Sequence, residues 1–481
     1  MSQMNQFEPE HDTFNGFEIV DLDEAVARVE PALVALAGES LFVTGGTGFI
    51  GQWLLSVLAR ANGTRQLGIT ATVLTRCVET IAGRCPQLAA ESWIDWIQGD
   101  VCTFDFPKGR FTHVIHAATD TSVAADRQPL TLIDTIVGGT RRALDFSLAV
   151  GARRFLLLSS GAAYGSLPAD MTAVPEEYTG SPATTDPRST YGQAKRLAEQ
   201  LGTIFCAAHG LEVVIGRLFA FVGPGMPLDA HFAIGNFIRD AVAGREAILS
   251  GDGTPLRSYL YAADLAAWLL RLLTEGRAGA VYNVGSDQCH SVAEIAARVA
   301  AVVPGAAGFA VKGTPQPGAA RSRYIPAVDK ARSELGLEVW TPLDEAILRT
   351  ARWARRARAS DADRVTPAML GGGDRKKLTF VVDVDGVLAS LTAGNNYELS
   401  TPLTGTIAQV NLLYDAGHNI ILYTARGSAT GIDWTTTTRR QLSEWGVKYH
   451  ELRFGKPAAD FYVDDRALSP AGLRHIVDVS G

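Results

Sequence analysis

Long apolar runs are missing from this 481-residue chain: no stretch of 18 or more consecutive hydrophobic residues occurs, so a membrane-spanning helix is not expected. An excess of positive charge is missing too. The formal net charge of −7 leaves no electrostatic footprint for a nucleic acid. Cysteine is scarce: Cys77, Cys85, Cys102, Cys206 and Cys289 show no C-x-x-C spacing, which argues against a disulfide framework and for reduced thiols in a cytoplasm. The first 21 residues are polar and acidic, so neither a signal peptide nor a membrane anchor is expected. Internal repeats and low-complexity tracts are also absent. What is present is a globular composition, 47% hydrophobic and 20% charged. At this length one core cannot hold the chain, and two or three domains are expected.

The stretch around which the rest is organised is Leu41-Phe42-Val43-Thr44-Gly45-Gly46-Thr47-Gly48-Phe49-Ile50-Gly51. Leu41 to Val43 reads as a buried strand, and Phe49, Ile50, Trp53, Leu54, Val57 and Leu58 have the spacing of a helix packed on a sheet. Gly45 permits the tight turn, Gly48 lets a pyrophosphate approach the backbone, and Gly51 lets the helix pack closely. Thr47, Phe49 and Ile50 complete the loop and first helical turn, whose free N–H groups and positive dipole end suit phosphates. A dinucleotide site is the reading.

Further strand ends follow in order. Ile69 to Leu74 leads into Thr75-Arg76, Ile97-Gln98 leads into Gly99-Asp100-Val101, and His113 to His116 leads into Ala117-Ala118. Phe155 to Leu158 ends in Ser159-Ser160. Strands alternating with helices predict an α/β fold, a Rossmann doubly wound parallel sheet with ligands at the carboxyl ends of the strands. Residues 1–15 are expected to be mobile, and 22–36 to form a helix beside the first strand. Residues 222–345 read as a smaller substrate lobe, and 344–358 as a closing helix whose arginines (Arg349, Arg352, Arg355, Arg356, Arg358) form a solvated face. Residues 360–377, with three consecutive glycines, read as a linker. After it the strand pattern restarts at Leu378. The expected organisation is an extension over 1–39, a dinucleotide and sugar domain over 40–358, a linker over 359–377, and a second α/β domain over 378–481.

Two groups of side chains carry chemistry. Tyr191 and Lys195 lie one turn apart on a predicted helix, downstream of the strand-end Ser160. Moving a hydride to or from a sugar carbon needs a partner for the hydroxyl proton. A tyrosine becomes that partner when an ammonium and an oxidised nicotinamide favour its phenolate, and Ser160 can orient the same oxygen. Residues 40–355 resemble the extended short-chain dehydrogenase/reductases, the nucleotide-sugar epimerase/dehydratase family, through TGGTGFIG (44–51), GDV (99–101), HAA (116–118), SSGAAYG (159–165), YGQAK (191–195) and RSYLYAADLA (257–266). The resemblance implies that Ser160, Tyr191 and Lys195 are catalytic. It also implies that Arg257 and the 251–253 loop approach the diphosphate of a nucleotide-diphosphate sugar, and that a homodimer is possible. Three departures stand out. Gly161 and Ala162 replace the Asp-Glu pair of the family's 4,6-dehydratases, so water elimination is disfavoured. Ala220 replaces the usual Asn. Arg76 stands where an acidic residue would bind the NAD ribose, so NADP is preferred over NAD. NADP favours a 4-ketoreductase, whereas retained NAD favours an epimerase.

The second group is Asp383 and Asp385 after the strand Phe380 to Val382, Thr424 after Ile420 to Tyr423, Lys456 in Gly455-Lys456-Pro457, and Asp464-Asp465 after Phe461 to Val463. Phosphoryl transfer needs such parts: an attacking carboxylate, an acid for the leaving oxygen and positive charge for the equatorial oxygens. Hard oxygen ligands suit Mg²⁺. The stretch 378–470 resembles the haloacid-dehalogenase-like (HAD-like) phosphatases of capsule and surface-polysaccharide pathways, through LYTARG, RFGKPAAD and YVDDRA. By that resemblance Asp383 is the nucleophile and Asp385 the general acid/base. Thr424 and Lys456 hold the phosphoryl group of a phosphorylated small molecule, and Asp383, Asp385 and Asp464 bind Mg²⁺. The whole then reads as a bifunctional enzyme of nucleotide-sugar or surface-polysaccharide biosynthesis. The alternatives are one catalytic domain with the other as scaffold, or an NADP-binding redox sensor.

Overall fold

The computed structural model describes residues 12–119, 128–228, 232–315, 321–364, 378–390, 396–428 and 431–456. The chain divides into two compact units, Met1–Arg355 and Arg356–Gly481.

In the first unit a short hairpin, Thr13–Phe14 with Phe17–Glu18, precedes α1 (Ile19–Arg28) and α2 (Glu30–Ala35). The main elements then follow in order. They are β1 (Ser40–Thr44), α3 (Phe49–Arg65), β2 (Thr70–Thr75), β3 (Ile94–Gln98), β4 (His113–His116), α4 (Gly139–Ala149), β5 (Arg154–Ser160), α5 (Thr190–His209), β6 (Glu212–Leu218), α6 (Ala262–Glu275) and β7 (Val281–Val284). The seven strands form one parallel sheet in the order β7-β6-β5-β4-β1-β2-β3. Strand order therefore reverses between β1 and β4, the place where a doubly wound sheet opens a crevice.

Buried runs such as Leu41-Phe42-Val43 and Phe155 to Leu158 are apolar on both sides because helices cover both faces. On one face α3 and α6 pack together around the fully buried Trp53 and Trp268. On the other α4 and α5 enclose Phe42, Phe104, Phe111, Phe146 and Phe155. Residues 222–345 are thus not a lobe throughout, since α6 and β7 within them belong to the main layers. The remainder does form small sheets. One joins Leu256–Arg257 to His290–Ser291 antiparallel and to Arg323–Tyr324 parallel; another pairs Ala247–Leu249 with Phe309–Val311.

Helix α1 lies on α3 and α6, with Leu22, Ala25 and Val26 buried. It is held there by charge as well as by apolar contact. Helix α7 (Leu343–Arg364) turns Arg349 onto the fully buried Asp21, onto Glu24 at 3.1 Å and onto Glu345 at 2.8 Å. Arg352 pairs with Glu18 at 3.2 Å, and Arg355 donates to the Pro304 carbonyl. The expected solvated arginine face is therefore corrected: 13% of the Arg349 side chain is exposed, and it serves as a buried clamp on α1. Burial holds the Asp21 carboxyl above its usual value, opposed by the hydrogen bond from Tyr261 and the charge of Arg349. Two boundaries also differ. Residues 12–15 belong to an ordered hairpin, and helix α7 continues to Arg364, inside the expected linker.

In the second unit β8 (Thr379–Asp383), β9 (Asn419–Thr424) and β10 (Glu451–Phe454) form a three-stranded parallel sheet in that order, with α8 (Thr404–Asp415) and α9 (Thr435–Glu444). Val382, Val384, Leu388, Ile407, Val410, Leu413, Ile420, Leu422 and Leu442 make its core.

Candidate active site

Parallel strands β1 and β4 sit side by side at the reversal point, with Thr44 opposite His116. The turn after β1 is therefore laid against the backbone after β4. Gly45 has φ +74°, and a Cβ there would lie 2.6 Å from the Ala117 carbonyl carbon and 2.7 Å from the Ala118 nitrogen. Gly51 is closed in the same way, 2.4 Å from Gly45 O and Gly46 Cα, because α3 packs hard onto the turn. Gly48 is different: its Cβ position meets only Gly45 O, at 3.3 Å, so this side of the turn is open. A bare backbone facing outward at the start of the 17-residue α3 fits a dinucleotide pyrophosphate. Thr47, Phe49 and Ile50 lie on this loop and first turn as expected. His116 locks the floor, with Nδ1 2.9 Å from Thr44 Oγ1, whose oxygen also accepts from Ala118 N at 3.2 Å. Arg76 stands exposed just beyond β2. Asp100 accepts from Cys102 N at 2.8 Å, and Val101 is buried against Gly139.

Ser160 ends β5 at the same rim, and Tyr191 and Lys195 lie on one face of α5. Lys195 is buried, and its Nζ donates to Thr119 Oγ1 and to the Leu158 carbonyl, each at 2.8 Å. Its ammonium sits 5.8 Å from the centre of the Tyr191 ring. Burial pushes the Lys195 pKa down to about 8, while Glu199 one turn along pulls it back up. Near neutral pH the ammonium remains mostly charged, which is the state that favours a phenolate at Tyr191. Glu199 is in turn fixed by Arg217, at 2.6 and 2.9 Å, and by Ser159. Leu197 on the same helix is 48% exposed.

One residue of this site carried no signal in the sequence. Tyr324, from the two-residue strand Arg323–Tyr324, places its hydroxyl 3.4 Å from Ser160 Oγ and 3.3 Å from the Leu218 carbonyl. No local motif marks it, since it lies 164 positions from Ser160 and arrives through the small sheet. Arg257 is its register partner in that sheet, which brings the expected diphosphate ligand to the same region.

A family model described as the NAD dependent epimerase/dehydratase family matches residues 41–285. The chain belongs to that family. UDP-glucuronic acid decarboxylase 1 of Xenopus tropicalis is 27% identical over 348 residues, 70% of this chain and 78% of its own. The dTDP-glucose 4,6-dehydratase of Streptomyces niveus is 27% identical over 328 residues, 66% of this chain and 94% of its own. Among solved structures, MoeE5 in complex with UDP-glucose and NAD is 27% identical with a TM-score of 0.54, covering 66% of this chain and 99% of the other. The epimerase/dehydratase match ends at residue 285, so the second unit is described by its own geometry.

There, the ends of three parallel strands, β8, β9 and β10, lie side by side. Asp383 closes β8 and is bonded by Lys456 Nζ, while its Oδ1 accepts from Val384 N at 2.8 Å. Thr424 closes β9 and lies 3.5 Å from Asp385. A cation that sequence reasoning left without a role, Arg426, is fully buried and grips Asp385 through Nη2 at 2.7 Å and Nε at 3.0 Å. The LYTARG segment already contained it. Both carboxylates thus have cationic partners, and no cluster of three metal-ligating side chains occurs among the described residues. The expected Mg²⁺ site is therefore not formed by them; its third ligand, Asp464, and Asp465 lie outside the described residues.

Proposed function

We propose that the first unit is an NAD-dependent nucleotide-sugar epimerase. The carrying observation is Lys195, anchored by Thr119 and Leu158 beneath Tyr191 at the rim that also holds the open side of Gly48. Tyr191 Oη takes the proton of the sugar hydroxyl, and the Lys195 ammonium stabilises the resulting phenolate. Ser160 Oγ holds the reacting oxygen. A bound nicotinamide would supply the acceptor for the hydride that leaves the same carbon and would hand it back to the opposite face as Tyr191 returns the proton, so that the carbon is inverted with no net change of oxidation state. Gly161 and Ala162 offer no carboxylate for eliminating water, which supports epimerisation over dehydration. The relative that carries NAD and UDP-glucose supports NAD over NADP, and so epimerase over the second reading, a ketoreductase favoured by exposed Arg76. Mass analysis of nucleotides released from the purified protein tests this. NAD together with UDP- or dTDP-hexose turnover, lost in Tyr191→Phe, is expected; NADP alone would move the reading to the ketoreductase. Leu197 and Ile204, both 48% exposed on α5, support a homodimer through that helix, checked by light scattering.

For the second unit we propose a HAD-like phosphatase. An Asp383 oxygen bonds to phosphorus as the substrate's P–O bond breaks, and water supplies the proton to the departing oxygen, since the ion pair with Arg426 occupies Asp385, the residue expected to serve as the acid. Water then cleaves the acyl phosphate. Lys456 and Thr424 face the phosphoryl oxygens. Hydrolysis of p-nitrophenyl phosphate, with and without added Mg²⁺, should be seen in the wild type and lost in Asp383→Asn. Equal rates in both proteins would end the assignment.

A further inference from the structure

The small sheet delivers a third hydroxyl to the hydride-transfer site. Tyr324 Oη lies between Ser160 Oγ at 3.4 Å and the Leu218 carbonyl oxygen at 3.3 Å. Ser160 Oγ also accepts from Ala162 N at 3.1 Å, so one of its lone pairs is already committed. The neighbouring chain makes room for this phenol. A Cβ on Gly161 would stand 2.9 Å from Tyr324 Oη and 2.8 Å from the Phe219 ring, and Phe219 and Tyr324 rings pack at 4.7 Å between centres. A side chain at 161 would press on both the Phe219 ring and the Tyr324 hydroxyl.

Building on the epimerase reading, we propose that Tyr324 is a positioning residue of the hydride-transfer site, fixing the direction of the Ser160 hydroxyl from the substrate-lobe side. A serine hydroxyl rotates freely unless its neighbours choose for it. With Ala162 N–H pointing at it and Tyr324 Oη on its other flank, Ser160 has one direction left, toward the reacting sugar oxygen. Tyr324 serves this role by donating to Ser160 Oγ, which leaves the serine proton for the reacting sugar oxygen. The charges facing Tyr324 are Tyr191, should it ionise, and Arg257 beside it in the sheet. Burial holds the phenol above its ordinary pKa, so it stays neutral while Tyr191 cycles. The 3.4 Å separation is long for a hydrogen bond between hydroxyls, and contacts of this kind tighten when substrate closes the site.

The test uses the full-length protein with NAD and a panel of UDP- and dTDP-hexoses, comparing wild type, Tyr324→Phe, Ser160→Ala and the double variant. Tyr324→Phe should lower kcat about tenfold, the rate equivalent of one ordinary hydrogen bond, with KM and melting temperature unchanged. In the double variant the Tyr324→Phe effect should vanish, because the hydroxyl it directs is gone; a structural role would lower melting temperature and persist without Ser160. A kcat within twofold of wild type, or full additivity with Ser160→Ala, overturns the inference and leaves the epimerase reading standing. A wild type that turns over no member of the panel removes the epimerase reading and this inference with it.

Discussion

His113 and His116 show how much one buried residue can impose on the whole site. Both are in β4 and are less than 5% exposed. His116 bridges Thr44 and Thr140, at 2.9 and 3.1 Å, and burial pushes its pKa down to about 3, with the Lys195 charge adding to the effect. His113 is pushed down to about 4 by burial, with Glu39 opposing. Each group's folded pKa lies below its unfolded value, so the unfolded chain binds more protons in between. Their contribution is whole above pH ~6.5 and is lost progressively as pH falls from there toward the folded values, about 1–2 kcal/mol each by pH 5. The melting temperature should therefore fall between pH 7 and pH 5, and less steeply in His116→Asn; identical slopes would contradict this. Both histidines were visible in the chain as part of a strand. Their neutrality was not, because it depends on helices laid over both faces of the sheet.

Two contacts between elements can be tested singly. Gly51→Ala puts a methyl group 2.4 Å from the Gly45 carbonyl oxygen and the Gly46 Cα, where backbone rather than a flexible side chain must yield. A cost of about 1–3 kcal/mol is expected, together with weakened NAD binding by calorimetry, because the turn and the start of α3 move together. Arg349→Ala leaves Asp21, which is fully buried, without its guanidinium. Breaking one side of a buried pair costs about 3–5 kcal/mol, so urea denaturation should shift by that order. Arg349→Met with Asp21→Asn together should cost less than the single change, since the fully buried carboxylate is removed with its partner while Glu24 and Glu345 keep contact with water. The arginine spacing on α7 reads as a surface stripe from sequence alone; α1 turns it inward. No local pattern records that a segment over 320 residues upstream supplies the carboxylates.

At the scale of the molecule, two compact units carry separate side-chain sets. On the two proposed assignments, Tyr191→Phe should abolish sugar turnover while leaving phosphatase activity within twofold, and Asp383→Asn should do the reverse. Calorimetry should resolve more than one transition, since two cores without shared apolar residues need not melt together. A single assay loss appearing in both activities for either variant would contradict the independence of the units.

Much of this was already present in the residue order. Glycine spacing after a buried strand can be read locally because each glycine answers a steric demand within a few residues. The strand-end Ser160, the one-turn Tyr191–Lys195 pair and the acids of Asp383-Val384-Asp385 are legible for the same reason: strand ends and helix faces follow from periodicity. What only the tertiary structure decided lies where distant segments meet. Tyr324 reached Ser160, Arg349 closed on Asp21, and Arg426 took hold of Asp385. Hydrogen bonds and ion pairs across long loops are chosen by packing geometry, and sequence periodicity carries no record of that choice.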